Sequence, residues 1–199
     1  DKHGYRLPLM NDLVDILGLR GVIEKCGLDW RTRNFEDIYA DLASWPRHDD
    51  ARAEIEERVT RYFGSLELPD SPTIYDYLVL SLRNKDLIAT FNWDPLLMQA
   101  AKRNDVAGDG PGILYLHGCA AVGICTQHSK EGPLGEACPI CRRLLEPARL
   151  LYPVRDKNYA ANPYIASRWR VLRAALSEAY VVTIFGYGAP QSDAAAMDL

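Results

Sequence analysis

The chain has 199 residues, 48% of them hydrophobic and 25% charged, which is typical of a folded globular domain. Its net charge of -4 argues against a protein that holds nucleic acid over its whole surface, so we expect no direct nucleic-acid contact by this domain. No apolar run approaches the ~20 residues that a membrane helix needs, and we expect no membrane partner. The length predicts one domain, or one domain with a small insert.

Helices are predicted along the first part of the chain, where apolar residues recur at helical spacing. The four segments with this pattern are 7–19, 34–45, 49–66 and 71–83. Asn34 and Ser71 stand at the starts of the second and fourth segments and are candidate N-caps.

Strands are predicted where the chain is continuously apolar, at 86–91, 112–118 and 180–186. Helical patterns at 95–103 and 162–179 lie between them. Continuous apolar strands that alternate with helices are typical of parallel sheets buried on both faces. The predicted fold class is therefore α/β, with a Rossmann-like, mostly parallel sheet that carries helices on both faces.

Polar residues or glycines follow each predicted strand, at the edge where such sheets bind their ligands. Asn92 and Asp94 follow the first strand, His117 the second, and Gly186-Tyr187-Gly188 the third. Each feature also has a structural explanation. Asn92 and Asp94 could cap the helix that begins at Pro95, His117 could be a structural histidine, and the glycines could serve only a tight turn. All three features at one edge favour a binding site.

Four of the five cysteines lie close together in the sequence and predict a metal site. The pattern is Cys125-x2-His128 followed by Cys138-x2-Cys141. Two short chelating turns supply four ligands of the kind that tetrahedral Zn²⁺ prefers, and a closed set of four predicts a structural rather than a catalytic ion. Cys119 could replace His128 as the fourth ligand.

These patterns predict a zinc-ribbon insert at 119–145 and a Rossmann-like domain at 1–118 and 146–199, which we expect to be part of a longer chain. Clustered cysteines beside a core of normal size indicate a reducing compartment, so we expect a cytoplasmic protein. Residues 142–173 are rich in arginine. This stretch is either a solvated helix face or a surface for an anionic ligand or partner.

Three motifs occur in the order found in a known family: "ATFNWDPLL", "LYLHG" followed directly by the ribbon, and "IFGYGAPQSD". On these motifs the chain resembles the sirtuin-like NAD-consuming domains, in particular the bacterial branch of antiphage defence proteins. The resemblance implies NAD contacts from Thr90, Phe91, Gly186, Tyr187, Gly188 and Asp193, and catalysis by Asn92, Asp94 and His117. The family's Gly-Ala-Gly-x-Ser phosphate loop does not occur before Gly4, so it either precedes this sequence or has been lost.

The implied reaction cleaves the nicotinamide–ribose bond of NAD through an oxocarbenium-like state. His117 is suited to take a proton near neutral pH, and the neutral amide of Asn92 can hold a water or a ribose hydroxyl. Asp94 can fix its loop, or bond the nicotinamide ribose or amide.

Hydrolysis of NAD to nicotinamide and ADP-ribose is the favoured function, because the sequence identifies no groove for an acyl-lysine. NAD-dependent protein-lysine deacylation is one alternative. A non-catalytic zinc-ribbon module that binds a nucleotide or nucleic acid through 142–173 is another. The resemblance further implies a homo-oligomer, and regulatory domains or partner proteins outside this sequence.

Overall fold

The computed structural model describes residues 7–10, 12–106, 108–154, 159 and 162–186. The α-helices in these ranges are α1 (Leu13–Ile16), α2 (Arg20–Lys25), α3 (Phe35–Ala43), α4 (Asp49–Gly64), α5 (Ile74–Ser81), α6 (Leu96–Arg103) and α7 (Pro163–Glu178), and a short 3-10 helix spans Pro46–His48. The strands are β1 (Leu87–Thr90), β2 (Gly112–Tyr115), β3 (Val122–Cys125), β4 (Lys130–Pro133) and β5 (Glu146–Pro147). None of the described helices has the length and apolar character needed to cross a bilayer.

Side-chain caps set the starts of two helices. Asn34 caps α3 as predicted, since its side chain accepts a hydrogen bond from the backbone N–H of Asp37 at 2.9 Å. The N-cap of α5 is Thr73, so the prediction of Ser71 is wrong. Thr73 and Asp76 form a capping box, in which each side chain bonds the other residue's backbone, and this arrangement satisfies two N–H groups at once.

The predicted helix 7–19 forms only at Leu13–Ile16, and a glycine separates it from the next helix. Gly18 has a φ of 62° between α1 and α2, a left-handed conformation that ends a helix. The change of direction allows both short helices to bury apolar side chains in the core that they form with α3 and α4.

β1 and β2 form a parallel pair, as the sequence predicts. The register places Leu87 opposite Gly112 and Thr90 opposite Tyr115. The backbone N–H of Leu116 donates to the carbonyl of Thr90 at 2.9 Å and extends the pairing by one residue. Because parallel neighbours end at the same edge, the residues after Thr90 and after Tyr115 come together.

The third predicted strand, 180–186, is not part of a sheet, and this prediction is wrong. Residues 180–185 have no regular secondary structure, and Tyr180 and Phe185 are exposed by 104% and 75%. β-forming residues make a strand only where a neighbour offers free backbone groups and an apolar face to cover. No described strand pairs with this segment, so the parallel sheet of the described residues has two strands.

The cysteine-rich region forms a second, antiparallel sheet. β3 is its central strand, with β4 paired on one side and β5 on the other. The β3–β4 hairpin places Cys125 opposite Lys130. We call this three-stranded unit the ribbon.

β2 lies between α7 and the ribbon. Successive side chains of a strand point to opposite sides, so one face of β2 packs on α7 and the other on the ribbon. On one side Trp169 of α7 is buried, and its indole N–H donates to the carbonyl of Leu116 at 3.0 Å. On the other side Tyr115 is buried against residues at the start and end of the ribbon. These residues are Cys119, Val122 and Ala148.

The core formed by α1–α4 also anchors the loop that follows β1. Trp93 of that loop is buried in this core, with its ring 5.5 Å from the ring of Phe63 and 5.1 Å from that of Tyr152. A buried tryptophan makes many contacts, so the loop is fixed between Asn92 and Asp94.

Candidate active site and metal centre

The parallel pair brings two of the predicted sites to one edge. Asn92 and Asp94 follow β1 directly, and His117 follows β2 in the adjoining position. The first loop turns away from the strand at Asn92, whose backbone N–H donates to the hydroxyl of Thr90 at 3.1 Å. Thr90 thereby shapes the loop from within β1, and the side chain of Asn92 lies on the exposed side.

His117 lies among aromatic rings and is only 6% exposed. Its ring is 4.9 Å from Phe91 in an edge-on arrangement and 6.2 Å from Tyr159 in a stacked one. Trp169 packs beside both of these partners, at 6.1 and 4.4 Å. Phe91, predicted as a nucleotide contact, therefore forms one wall of the histidine's surroundings.

The glycine after His117 is required by its conformation and its surroundings. Gly118 has a φ of 81°, and a Cβ atom built there would lie 2.6 Å from the carbonyl oxygen of Arg149. The backbone N–H of Leu151 donates to the carbonyl of His117 at 2.8 Å. The chain returning from the ribbon therefore packs tightly against the His117–Gly118 turn and fixes the position of the histidine.

Asp94 is buried, with 6% exposure, and caps α6. Its carboxylate accepts a hydrogen bond from the backbone N–H of Leu96 at 3.1 Å. Burial raises the pKa of the Asp94 carboxyl, and the bond from Leu96 opposes that rise. The capping explanation left open for Asp94 is thus confirmed, and a contact between Asp94 and a ligand stays a prediction.

Tyr75 belongs to the same neighbourhood, and the sequence did not single it out. It projects from α5 and packs against the core shared by α5 and α6. Burial and then the charge of Asp94 raise the pKa of Tyr75. Only the fold joins Tyr75 to this loop, so no sequence spacing could have revealed it.

The third predicted group is described only at its first member. Gly186 is exposed and has a φ of 63°, which agrees with the turn predicted there. Tyr187, Gly188 and Asp193 lie outside the described residues.

The four predicted metal ligands converge in the ribbon, with their ligand atoms all within 4.8 Å of one another: Cys125, His128, Cys138 and Cys141. Cys125 Sγ lies 3.5 Å from His128 Nδ1 and 3.8 Å from Cys141 Sγ, and Cys138 Sγ lies 3.8 Å from His128 Nδ1. A tetrahedral Zn²⁺ holds two sulfurs about 3.8 Å apart, and a sulfur and a nitrogen about 3.5 Å apart. The donor set therefore fits a metal ion such as zinc.

Both chelating turns have the same backbone form. The residue after each second ligand is left-handed: Ser129 with a φ of 51° and Arg142 with a φ of 64°. The backbone N–H of Cys141 bonds the sulfur of Cys138 and lowers the pKa of that thiol to about 6. The second turn thus favours the thiolate form of Cys138, whereas burial raises the pKa of the Cys125 thiol in the first turn.

Cys119 is not part of this cluster. It is fully buried beside Tyr115, and its thiol donates to the carbonyl of Asp94 at 3.5 Å. Burial raises the pKa of Cys119 to about 11, which opposes thiolate formation. The fourth ligand of the cluster is therefore His128.

An open groove separates the ribbon from α4 and α6. Its volume is about 520 Å³, and its lining residues are Thr60, Arg61, Gly64, Ser65, Met98, Ala120, Ala121, Pro133 and Leu134. A second cavity of about 170 Å³ shares Met98 and also contacts Tyr115 and Glu131. Both spaces are mainly apolar and open to solvent.

The basic stretch 142–173 is partly neutralised. Arg168 of α7 forms an ion pair with Glu131 of β4 at 2.8 Å, and this pair ties the helix to the ribbon. Arg149, Arg170 and Arg173 are exposed, as expected for a solvated face.

In comparisons with family models, curated proteins and solved structures, none matched the chain significantly.

Proposed function

We propose that this domain cleaves NAD to nicotinamide and ADP-ribose, with water as the acceptor. The observation that carries the proposal is the parallel register of β1 and β2, which puts the Asn92–Asp94 loop and His117 at one edge. Open α/β sheets bind their ligands at this edge. The order of the motifs, which resembles that of the sirtuin-like domains, supplies the substrate.

In this proposal the protein contributes position and one proton acceptor. Nicotinamide is already a good leaving group, so the main task is to hold NAD and a water in line while bulk solvent is excluded. His117 takes the proton of the attacking water from within its aromatic surroundings. Asn92 orients the water or a ribose hydroxyl from the exposed side of the loop. Asp94 shapes that loop by capping α6.

The finer assignments belong to the same proposal. The two parallel strands belong to a Rossmann-like, mostly parallel sheet with helices on both faces. The ribbon holds a structural Zn²⁺. NAD consumption by a domain of this kind fits a role in bacterial antiphage defence, in the cytoplasm and within an oligomer that carries regulatory parts.

One observation favours a second candidate, NAD-dependent deacylation of protein lysines. The groove between the ribbon and α4–α6 is about 520 Å³ and is bordered by Ala120 and Ala121, which follow the His117–Gly118 turn closely. A peptide segment has room in such a groove. The sequence identifies no groove for an acyl-lysine, and this favours hydrolysis. The groove in the structure, in contrast, supports deacylation.

The decisive experiment incubates the purified full-length protein with NAD, with and without an acyl-lysine peptide. Nicotinamide and ADP-ribose without peptide support hydrolysis, whereas nicotinamide only with peptide supports deacylation. No turnover in either case contradicts both and favours a non-catalytic binding module. Asn92→Ala is expected to abolish turnover, and Asn84→Ala is the matched control because Asn84 is exposed at the opposite end of β1.

A further inference from the structure

We infer that Trp169 of α7 is a positioning residue that fixes both the backbone and the imidazole ring of His117. The catalytic part of this inference rests on the proposed function, in which His117 accepts a proton. The positional part rests on a hydrogen bond to the peptide unit before His117 and on the contacts among four aromatic rings.

The backbone of His117 is held on both sides. The carbonyl of Leu116 belongs to the same planar peptide unit as the N–H of His117. This carbonyl accepts a buried hydrogen bond from the indole N–H of Trp169 at 3.0 Å. On the other side, the carbonyl of His117 accepts a hydrogen bond from the backbone N–H of Leu151 at 2.8 Å. The peptide planes before and after His117 are therefore both fixed, the first of them by a side chain.

The imidazole ring needs further support, because the last torsion of a histidine is broad and roughly two-fold. A half-turn of the ring exchanges the positions of its nitrogens with those of its carbons. His117 contacts the rings of Phe91 and Tyr159, at 4.9 and 6.2 Å. Trp169 contacts the same two rings, at 6.1 and 4.4 Å, so the four rings form a closed circuit. Trp169 thereby holds in place the two rings that limit the rotation of the imidazole.

Trp169 can hold them because α7 is anchored by contacts within the chain. The helix begins at Asn162, whose side chain accepts hydrogen bonds from two backbone N–H groups of the first turn. Ile165 and Leu172 lie on the same face of the helix as Trp169 and share its apolar core with Leu114 of β2. Trp169 itself is 1% exposed. Its position is therefore set by the core and does not depend on a substrate.

The first test compares Trp169→Phe with Leu172→Ala, which removes apolar volume from the same core but leaves the hydrogen bond and the ring contacts in place. With the full-length protein and NAD, we expect kcat of Trp169→Phe to fall about 10-fold or more while KM changes less than about 2-fold. Leu172→Ala should keep kcat within about 2-fold of the wild type. Equal kcat in the two variants would overturn the catalytic part of the inference.

The second test does not depend on activity. In protein labelled with ¹³C at histidine, the imidazole signal of His117 is identified by its disappearance in His117→Gln. We expect one narrow signal in the wild type and in Leu172→Ala, and a split or broadened signal in Trp169→Phe, because the ring then samples two orientations. A single narrow signal in Trp169→Phe overturns the positional part. Unmoved signals of the buried His48 and of His128 in the ribbon show that the variant is folded.

A further variant keeps the inference testable if Trp169→Phe does not fold. Benzothienylalanine at position 169 retains two fused rings and replaces only the indole N–H by sulfur, so the core stays filled while the bond to Leu116 is lost. The same splitting or broadening of the His117 signal is expected, and a single narrow signal overturns the role of the hydrogen bond. A split or broadened signal in a protein whose wild type does not turn over NAD shows that the proposed function has failed while the positioning of His117 by Trp169 stands.

Discussion

The ribbon and the edge of the parallel sheet hold their polar side chains in different ways. In the ribbon, two short turns of the same form carry all four ligands, and few core contacts support them. At the sheet edge, Trp93 enters the α1–α4 core and His117 is enclosed by rings from β1 and α7. We therefore expect the shape of the ribbon to depend on a bound metal, whereas the sheet edge depends on packing between distant parts of the chain.

The largest expected effect is loss of the metal from the ribbon. Cys138→Ser removes a thiolate ligand, and structural Zn²⁺ contributes about 10–16 kcal/mol in small zinc modules. We expect bound zinc to fall from about one ion per chain to near zero. Elemental analysis and amide exchange of residues 122–147 measure this loss. Cys26→Ser, which changes a cysteine outside the cluster, should keep the metal. Full zinc content in Cys138→Ser would show that Cys138 is not a required metal ligand.

The next largest effect distinguishes the roles of the two histidines, His117 and His128. His117→Gln should lower NAD turnover about 10²–10⁴-fold, because a general base has been lost, and should leave the zinc content unchanged. His128→Gln should lower the zinc content instead. Turnover and metal analysis of both variants measure the difference. Wild-type turnover by His117→Gln would contradict its catalytic assignment.

A smaller effect concerns the clamp, by which we mean the bonds that Asp76 at the start of α5 makes to Arg103 and Asn104 at the end of α6. Asp76→Asn replaces a buried carboxylate that bonds Arg103 and Thr73, and we expect the free energy of unfolding to fall by about 1–3 kcal/mol. Denaturant unfolding measures this change, and the zinc content should be unaffected. A variant as stable as the wild type would show that the clamp contributes nothing to stability.

The same clamp predicts a pH dependence. Although burial opposes it, the bonds from Arg103 and Thr73 hold the pKa of Asp76 well below its usual range. A lowered folded pKa means that the stabilisation is complete above the unfolded pKa of about 4 and is lost as the pH falls toward the folded value. The wild type should lose stability below about pH 5 more steeply than Asp76→Asn. Parallel pH profiles for the two proteins would contradict this.

The smallest expected effect is a gain in stability in the ribbon. Ser129 adopts a left-handed φ of 51°, which glycine adopts without strain. Ser129→Gly should raise the free energy of unfolding by about 0.5–1 kcal/mol, whereas Ser129→Ala should not. Thermal unfolding of the zinc-loaded proteins measures both. A lower melting temperature for Ser129→Gly would show that the serine side chain supports the turn.

The sequence was a good guide wherever the information is local. The spacing of Cys125-x2-His128 and Cys138-x2-Cys141 predicted the metal cluster, because a chelating turn is decided by a few consecutive residues. The apolar runs at 86–91 and 112–118 predicted β1 and β2 and their parallel pairing. The position of Asn92 and His117 at one edge followed from that pairing.

Tertiary contacts account for what the sequence did not reveal. The run 180–186 has the composition of a strand, yet composition cannot supply the neighbour with which a strand must pair. The choice of His128 over Cys119 required the fold, which buries Cys119 beneath the loop after β1. Tyr75 was missed for the same reason, since only the packing of α5 on α6 brings it near Asp94.

Hydrogen bonds join the entrance of the ribbon to the loop after β1, so binding of a metal in one region can be coupled to binding of a ligand in the other. The backbone N–H of Ala120, at the entrance to the ribbon, donates to the carbonyl of Trp93 at 2.8 Å, and the thiol of Cys119 bonds the carbonyl of Asp94. The loop that carries Asn92 is thus attached to the segment that a metal would order. If the metal stabilises that segment, linkage requires the effect to be reciprocal. A ligand that orders the loop must then raise the affinity of the protein for zinc by the same factor by which zinc raises its affinity for that ligand.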